Sequence, residues 1–239
     1  MSAQALKAGP VREAGGNITV PVYVHIITDS AGAGDVSNAV VNEQIAAMNR
    51  AYAGQQASGA YNTSYRFTLA GVDRTANDAW YLAARHSPDE VAMMTTLRQG
   101  SADDLNMYVR PLPYPLGGYA TWPWNVPNLA MDGITVHTGC MPGGNYPNFN
   151  TGDVAAHEAG HWLGAYHTYH NGCTTEGDYV SDTPAHASAT GGCPTTAPDT
   201  CTGGRFKGVD PIRNFMNSVF ESCMTQFTKG QNDRMDVMY

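Results

Sequence analysis

Residues 157–167 read His157-Glu158-Ala159-Gly160-His161-Trp162-Leu163-Gly164-Ala165-Tyr166-His167. His157 and His161 are four apart, so on a helix their imidazoles lie on one face, one turn apart. That spacing suits two nitrogen ligands of a tetrahedral zinc ion. Glu158 sits beside the first ligand and can reach a water at the metal without binding the metal itself. Gly164 lets the chain stop being helical and turn sharply, which carries His167 round as a third ligand. Three neutral nitrogens leave a fourth position open, which marks a catalytic site rather than a closed structural one. The chemistry expected is peptide-bond hydrolysis without an acyl-enzyme, with Glu158 as general base. From the residue frequencies of this chain, a chance match to the three histidines, the glutamate and the glycine is on the order of 10⁻⁵. His25, His137 and His170 lack this spacing and read as ordinary polar or partly buried histidines.

The surrounding sequence places this motif on a helix over 152–166. Upstream, Ile18, Val20, Val22, Val24 and Ile26 alternate as in a strand, and Tyr65–Val72 alternates again. Further strands are expected at Leu105–Val109, Tyr119–Trp124 and Ile134–His137. Helices are expected over 37–53, over 88–99 with Pro88 at its start, and over 228–238. Residues 171–210 show almost no periodicity, so something other than core packing must fix them. The expected fold is therefore α+β, with mixed strands and helices first. A flexible segment 1–16 precedes an N-terminal lobe, 17–167, that includes the active-site helix. A loop-rich C-terminal lobe, 168–239, follows within one catalytic domain.

Composition narrows the function. The chain has 239 residues, 13 Lys+Arg against 21 Asp+Glu and a net charge of −8. With no basic surplus to neutralise phosphates, nucleic-acid and anionic-membrane binding are disfavoured. No apolar run is long enough for a transmembrane helix. Residues 1–16 lack the apolar stretch of a signal peptide, which taken alone suggests a cytosolic protein. The cysteines point the other way. Cys173, Cys193, Cys201 and Cys223 fall in the Gly-, Pro- and Thr-rich segment without a C-x-x-C pair, so two disulfides are expected rather than a zinc ribbon. A secreted protein whose signal and any pro-segment have been removed reconciles the two. Asn17 and Asn62 fit the glycosylation sequon, a short pattern that also arises by chance. Cys140 is left over, as a buried free thiol by default, or else a partner for another chain or a reactive exposed group.

The full motif, H-E-x-x-H-x-x-G-x-x-H, is the metzincin signature, and Met216 in Asn214-Phe-Met-Asn217 fits the Met-turn such proteins carry. Beyond it, MNRAY (48–52), FTLAGVDRTAN (67–77), DDLNMYV (103–109), GGYATWPW (117–124), GDYVSDTPA (177–185), CPTTAPDTC (193–201), VDPIRNFM (209–216) and CMTQFTKGQNDRM (223–235) resemble the pappalysin family. The likeness is to its small secreted ulilysin-like branch, close to actinomycete and fungal extracellular proteases. The resemblance implies a two-lobed metzincin fold. It makes Gly118, Tyr119, Ala120 and Thr121 the edge strand on which an extended substrate would lie. It pairs Cys173 with Cys201 and Cys193 with Cys223. It makes Asp178, Val180, Asp182 and Thr183 a calcium loop, so that Ca²⁺ joins Zn²⁺ as an expected cofactor. It puts the acidic Glu221 at the base of the pocket after the scissile bond, which implies cleavage before Arg or Lys. The expected partner is a peptide or protein, with no nucleic acid or membrane, and the expected state is a monomer. One departure stands out. The family has Tyr two residues after the methionine, where its hydroxyl can stabilise the reacting oxyanion, and this chain has Ser218. An alternative reading follows: a catalytically impaired zinc-binding homologue that holds peptides or proteins in its cleft.

Overall fold

Ile18, Val20, Val22, Val24 and Ile26 all enter one apolar core, so the alternation of the sequence becomes strand β1 (Ile18–Thr28). The computed structural model describes residues 18–126, 128–203 and 208–239; the expected lead-in 1–16 and Asn17 lie outside them. The other sequon residue, Asn62, is exposed. Four more strands follow: β2 (Tyr65–Ala76), β3 (Leu105–Arg110), β4 (Gly118–Ala120) and β5 (Ile134–His137). They form a mixed sheet of order β2-β1-β3-β5-β4. The β1–β2, β1–β3 and β3–β5 pairs are parallel, and β4 runs antiparallel to β5 at the sheet edge. This is the expected α+β class.

Helix α1 (Asn38–Tyr52) connects β1 to β2 and buries Val41, Ile45, Met48 and Tyr52 against the sheet. The Ser37 hydroxyl caps it by accepting from the Val40 N–H. The single turn α2 (Asp78–Tyr81) is too short to leave a periodic signal and was not expected. Helix α3 (Pro88–Leu97) covers the opposite face, where Met93 and Met94 cluster with Ile27, Tyr108 and Met131. Helix α4 (Asp153–Trp162) carries the histidines and lies on the α1 side. Two buried bonds hold it there: Gln44 Nε2 donates to the Gly152 carbonyl at 2.8 Å, and the Tyr52 hydroxyl donates to that of Ala156 at 3.1 Å. Helix α5 (Lys229–Met238) starts with a reciprocal cap between Thr228 and Gln231.

Two elements are shorter than expected. The helix of 152–166 stops at Trp162, because Leu163 caps it and Gly164 turns to φ +99°. The strand of 119–124 is only Gly118–Ala120. Thr121 turns its hydroxyl back to accept from the Gly133 N–H at 2.9 Å, and Pro123 has no amide hydrogen to continue a ladder.

Among the described residues, no helix or strand falls between Trp162 and the short 3₁₀ turn Glu221–Cys223. Disulfides Cys173–Cys201 and Cys193–Cys223 staple this stretch, as the resemblance implied. Each spans 28 or 30 positions, a loop closure of about 3–4 kcal/mol in the chain-entropy account. Phe215, Met216, Phe227 and Met235 enter the same core as β1 and α1. The Phe227 and Tyr52 rings lie 4.6 Å apart. Cys140 is free and buried, and burial pushes its thiol up to about 12.

Candidate active site

His157 and His161 project from α4, and the turn at Gly164 returns His167 to meet them. The Nε2 atom of His167 lies 3.2 Å from that of His157 and 3.0 Å from that of His161. The other ring nitrogens fix the tautomer of the first two. His157 Nδ1 donates to the Phe215 carbonyl at 2.6 Å, and His161 Nδ1 donates to that of Ala165 at 2.8 Å. A carbonyl can only accept, so each of these Nε2 atoms carries a bare lone pair facing another imidazole nitrogen. At most one of the three Nε2 atoms, that of His167, can hold a proton to share with the other two, whereas a cation between them would satisfy all three lone pairs. Their separations match the roughly 3.3 Å edge of a tetrahedron with Zn–N bonds of about 2.0–2.1 Å. The residues present therefore fit a zinc ion, and among the described residues this is the one group of three or more His, Cys, Asp or Glu side chains poised for a metal. Burial lowers the pKa of all three imidazoles, that of His167 to about 3, with the other histidines adding to the effect at His161 and His167. They are held in the neutral, metal-binding form.

The turn that delivers His167 is clamped by α5. Arg234 Nε donates to the Gly164 carbonyl at 2.6 Å, and its guanidinium lies 4.5 Å over the Tyr166 ring. Below the histidines, Met216 packs directly under α4. A Cβ on Gly160 would sit 2.5 Å from the Met216 sulfur. The Met216 carbonyl accepts from the Thr168 N–H at 3.0 Å, so this turn supports both ends of the triad.

Glu158 points into the same cleft. Its carboxylate receives no hydrogen bond from the described residues. Burial pushes it up to about 8, and the exposed Arg85 guanidinium across the cleft pulls it partly back. The β4 strand lies against it. A Cβ on Gly118 would be 2.8 Å from Glu158 Cγ and 3.0 Å from the Thr135 carbonyl, so only glycine leaves room for the glutamate. The Gly117 carbonyl accepts from the His137 N–H of β5, and the Thr121 N–H donates to the Gly133 carbonyl just before β5. By the alternation of an antiparallel pair, the backbone groups of Gly118 and Ala120 face outward. A cleft of about 400 Å³ runs between this edge and the Met216 turn, flanked by Tyr119, Trp122, Tyr146, Phe149, Tyr169 and Ser218.

Glu221 is buried behind the start of α4. Its carboxylate accepts from Thr151 N at 2.6 Å, Thr151 Oγ1 at 2.9 Å and Val154 N at 2.7 Å. Gly152 has no side chain to cap the helix, and Glu221 does so from the other lobe. Asp153, also at this helix start, bonds to Gln56 Nε2 at 2.9 Å. Burial pushes its carboxyl up to about 7; the Gln56 and Thr151 bonds pull it down and the Glu221 charge pushes it up. The sign follows directly. The folded chain holds this proton more tightly than the unfolded chain, so its contribution to stability is present below about pH 4 and lost as pH rises through about 7. We expect Asp153→Asn to flatten the fall in Tm across that window, measured by thermal melts from pH 4 to 8. An unchanged slope in the variant would remove Asp153 as its source.

The expected calcium ligands are otherwise engaged. The Thr183 hydroxyl, with one proton to give, lies 2.6 and 2.8 Å from the two Asp178 carboxylate oxygens and 3.0 Å from the Val180 carbonyl, and the Val180 N–H donates to Asp178 at 3.1 Å. Asp182 caps α5 through Thr228 Oγ1 at 2.7 Å and Gly230 N at 2.8 Å. Val180, Asp182 and Thr183 also line a small pocket with Thr174, Glu176 and Ser181. Ser218 lines the cleft, and its hydroxyl meets that of Tyr169 at 2.8 Å. Tyr169, Trp122 and Arg85 were not picked out as site residues in the sequence. The one available signal was the aromatic two positions after His167.

Three converging imidazoles on a broken helix, with a methionine turn packed beneath, define a metzincin-type metallopeptidase site. The comparisons agree. Residues 117–239 match the Peptidase_M43 family, described as pregnancy-associated plasma protein-A. An extracellular metalloprotease of Pyricularia oryzae is 40% identical over 242 residues, covering 99% of this chain and 80% of the relative. One of Neurospora crassa is 38% identical over 237 residues, covering 97% and 78%. Mature mirolysin of Tannerella forsythia, solved with a cleaved peptide, has a TM-score of 0.75 at 28% identity over 92% of this chain and 91% of the other. The chain belongs to the pappalysin family of metzincin metalloendopeptidases. The relatives are named extracellular, and none of the described helices is long and apolar enough to cross a membrane.

Proposed function

We propose that the protein is a secreted zinc endopeptidase that binds an extended peptide along β4 and hydrolyses it with Glu158 as general base. The observation that carries this reading is the converging Nε2 atoms beside a buried carboxylate that takes no hydrogen bond among the described residues, in an open cleft. Bound zinc supplies a Lewis acid there, which polarises the scissile carbonyl and brings the pKa of a water to about 7. Glu158 takes the proton of the attacking water and returns it to the leaving nitrogen as the C–N bond breaks. The outward backbone groups of Gly118 and Ala120 hold the substrate strand by main-chain hydrogen bonds, which place the scissile carbonyl over the triad.

Cleavage before Arg or Lys is the finer part of the proposal. Its support is the Glu221 charge behind the start of α4. That charge meets amides and a hydroxyl but no cationic side chain among the described residues. Ser218 favours a second reading, a zinc-holding homologue that binds peptides without cutting them. Cleavage-site mapping on a diverse peptide mixture, with and without chelator, decides among these. We expect chelator-sensitive cuts with Arg or Lys after the scissile bond, and loss of that preference in Glu221→Gln. Cuts before apolar residues would leave the endopeptidase standing and remove Glu221 as selector. No cuts from folded, zinc-loaded protein would favour the second reading.

A further inference from the structure

The phenol expected two residues after the methionine is missing, yet a phenol lines the cleft beside Ser218. It comes from another segment of the chain. Tyr169 follows His167 by two residues, and its ring stacks on the His167 imidazole at 4.7 Å between centroids and 10° between planes. The His186 ring meets it edge-on at 5.7 Å. The Thr168 hydroxyl bonds to His186 Nε2 at 2.8 Å, and the Thr168 N–H donates to the Met216 carbonyl, so the segment is tied down on both sides. So held, the phenol oxygen lies 2.8 Å from Ser218 Oγ, and both residues line the cleft with Glu158 and the three histidines.

We propose that Tyr169 is a catalytic residue of this protease, donating its phenol hydrogen bond to the substrate oxygen as it becomes anionic, with Ser218 orienting the phenol. A hydroxyl has one proton to give and two lone pairs. When Ser218 donates to the Tyr169 oxygen, the phenol proton is free to point into the cleft. A serine at 218 is too short to reach the reacting carbon. It is the right length to hold a phenol arriving from 169, whereas a tyrosine at 218 would compete for the same space. The two positions thus act as a pair. The ring is pinned by stacking before substrate arrives, so little reorganisation is needed when charge develops, which is what makes an oxyanion donor effective.

This inference rests on the endopeptidase reading, and the test separates the two. Tyr169→Phe keeps the ring and its stack and removes only the hydroxyl. On the strongest mapped cleavage sequence we expect kcat to fall by about 10²–10³ with KM within about threefold. A phosphinic peptide of that sequence, whose tetrahedral anion stands for the reacting carbon and oxygen, should bind the variant weaker by a similar factor. The ordinary product peptide should bind both proteins alike. Zinc per chain and Tm should be unchanged. Ser218→Ala, which leaves the phenol in place but unoriented, should lower kcat by a smaller factor. Retention of kcat and phosphinate affinity within threefold in Tyr169→Phe would overturn the inference. So would a fall in activity matched by lost zinc, which would make the ring a mere support for His167. A wild-type chain that cleaves nothing would fail the endopeptidase reading and this inference together; an active wild type with an equally active variant would fail this inference alone.

Discussion

Replacing Glu158 with glutamine should lower kcat on a quenched peptide by about 10²–10⁴, or about 2.7 to 5.5 kcal/mol of barrier, while leaving zinc content unchanged. Glutamine has the shape of glutamate, so the tight fit against Gly118 survives. It cannot accept a proton at neutral pH, so the attacking water loses its base. Glu158 stands outside the group of side chains poised for the metal, so the metal should remain. In the metal-free chain burial raises the carboxyl to about 8. The same burial has a cost in stability. The metal-free wild type loses stability from this group as pH rises from about 4.5 through about 8, and Glu158→Gln should escape that loss. At pH 8 the metal-free variant should therefore melt above the wild type. A glutamine variant within threefold of wild-type kcat would assign the proton transfer to another group.

Gly164→Ala should weaken zinc binding by about tenfold or more and reduce activity with it, the scale seen when groups supporting metal ligands are altered. Two effects act at this residue. Its φ of +99° lies in the left-handed region, where a side chain is strained. A Cβ there would also lie 2.6 Å from Met238 Cγ on α5. The turn would open, and His167, three residues on, would leave the other two Nε2 atoms. Competition against a fluorescent zinc chelator reads the affinity directly. The double variant with Met238→Ala separates the causes: it relieves the collision and leaves the backbone strain. Affinity restored in the double variant would assign the effect to the collision with α5. Wild-type affinity in the single variant would mean that the turn does not position His167.

The metal ligands, their helix and the turn were legible because each rests on local spacing. Positions four apart on a helix share a face whatever surrounds them, and a glycine after the last turn ends a helix by its own backbone freedom. β1, α1, α3 and α5 were legible for the same reason, through periodicity and caps within a few residues. Where tertiary contacts rule, the reading fell short. The strand expected over 119–124 keeps only its first part, since the Thr121 hydroxyl turns back to bond Gly133. Likewise, the residue types of 178–183 did not announce that Asp178 meets Thr183 or that Asp182 caps a helix 46 positions away.

Spacing in the chain thus carried the histidine triad and the family. The working surface of the cleft depended on residues that only folding brings together. Gly118 leaves space for Glu158 because a strand edge packs over α4, and Glu221 caps that helix from 67 positions away. Tyr169 meets Ser218 across 49 positions. A periodic signal reports which face of an element is buried. It is silent on which distant side chain occupies the few ångströms beside it, because that is set by packing segments far apart in the chain around one core.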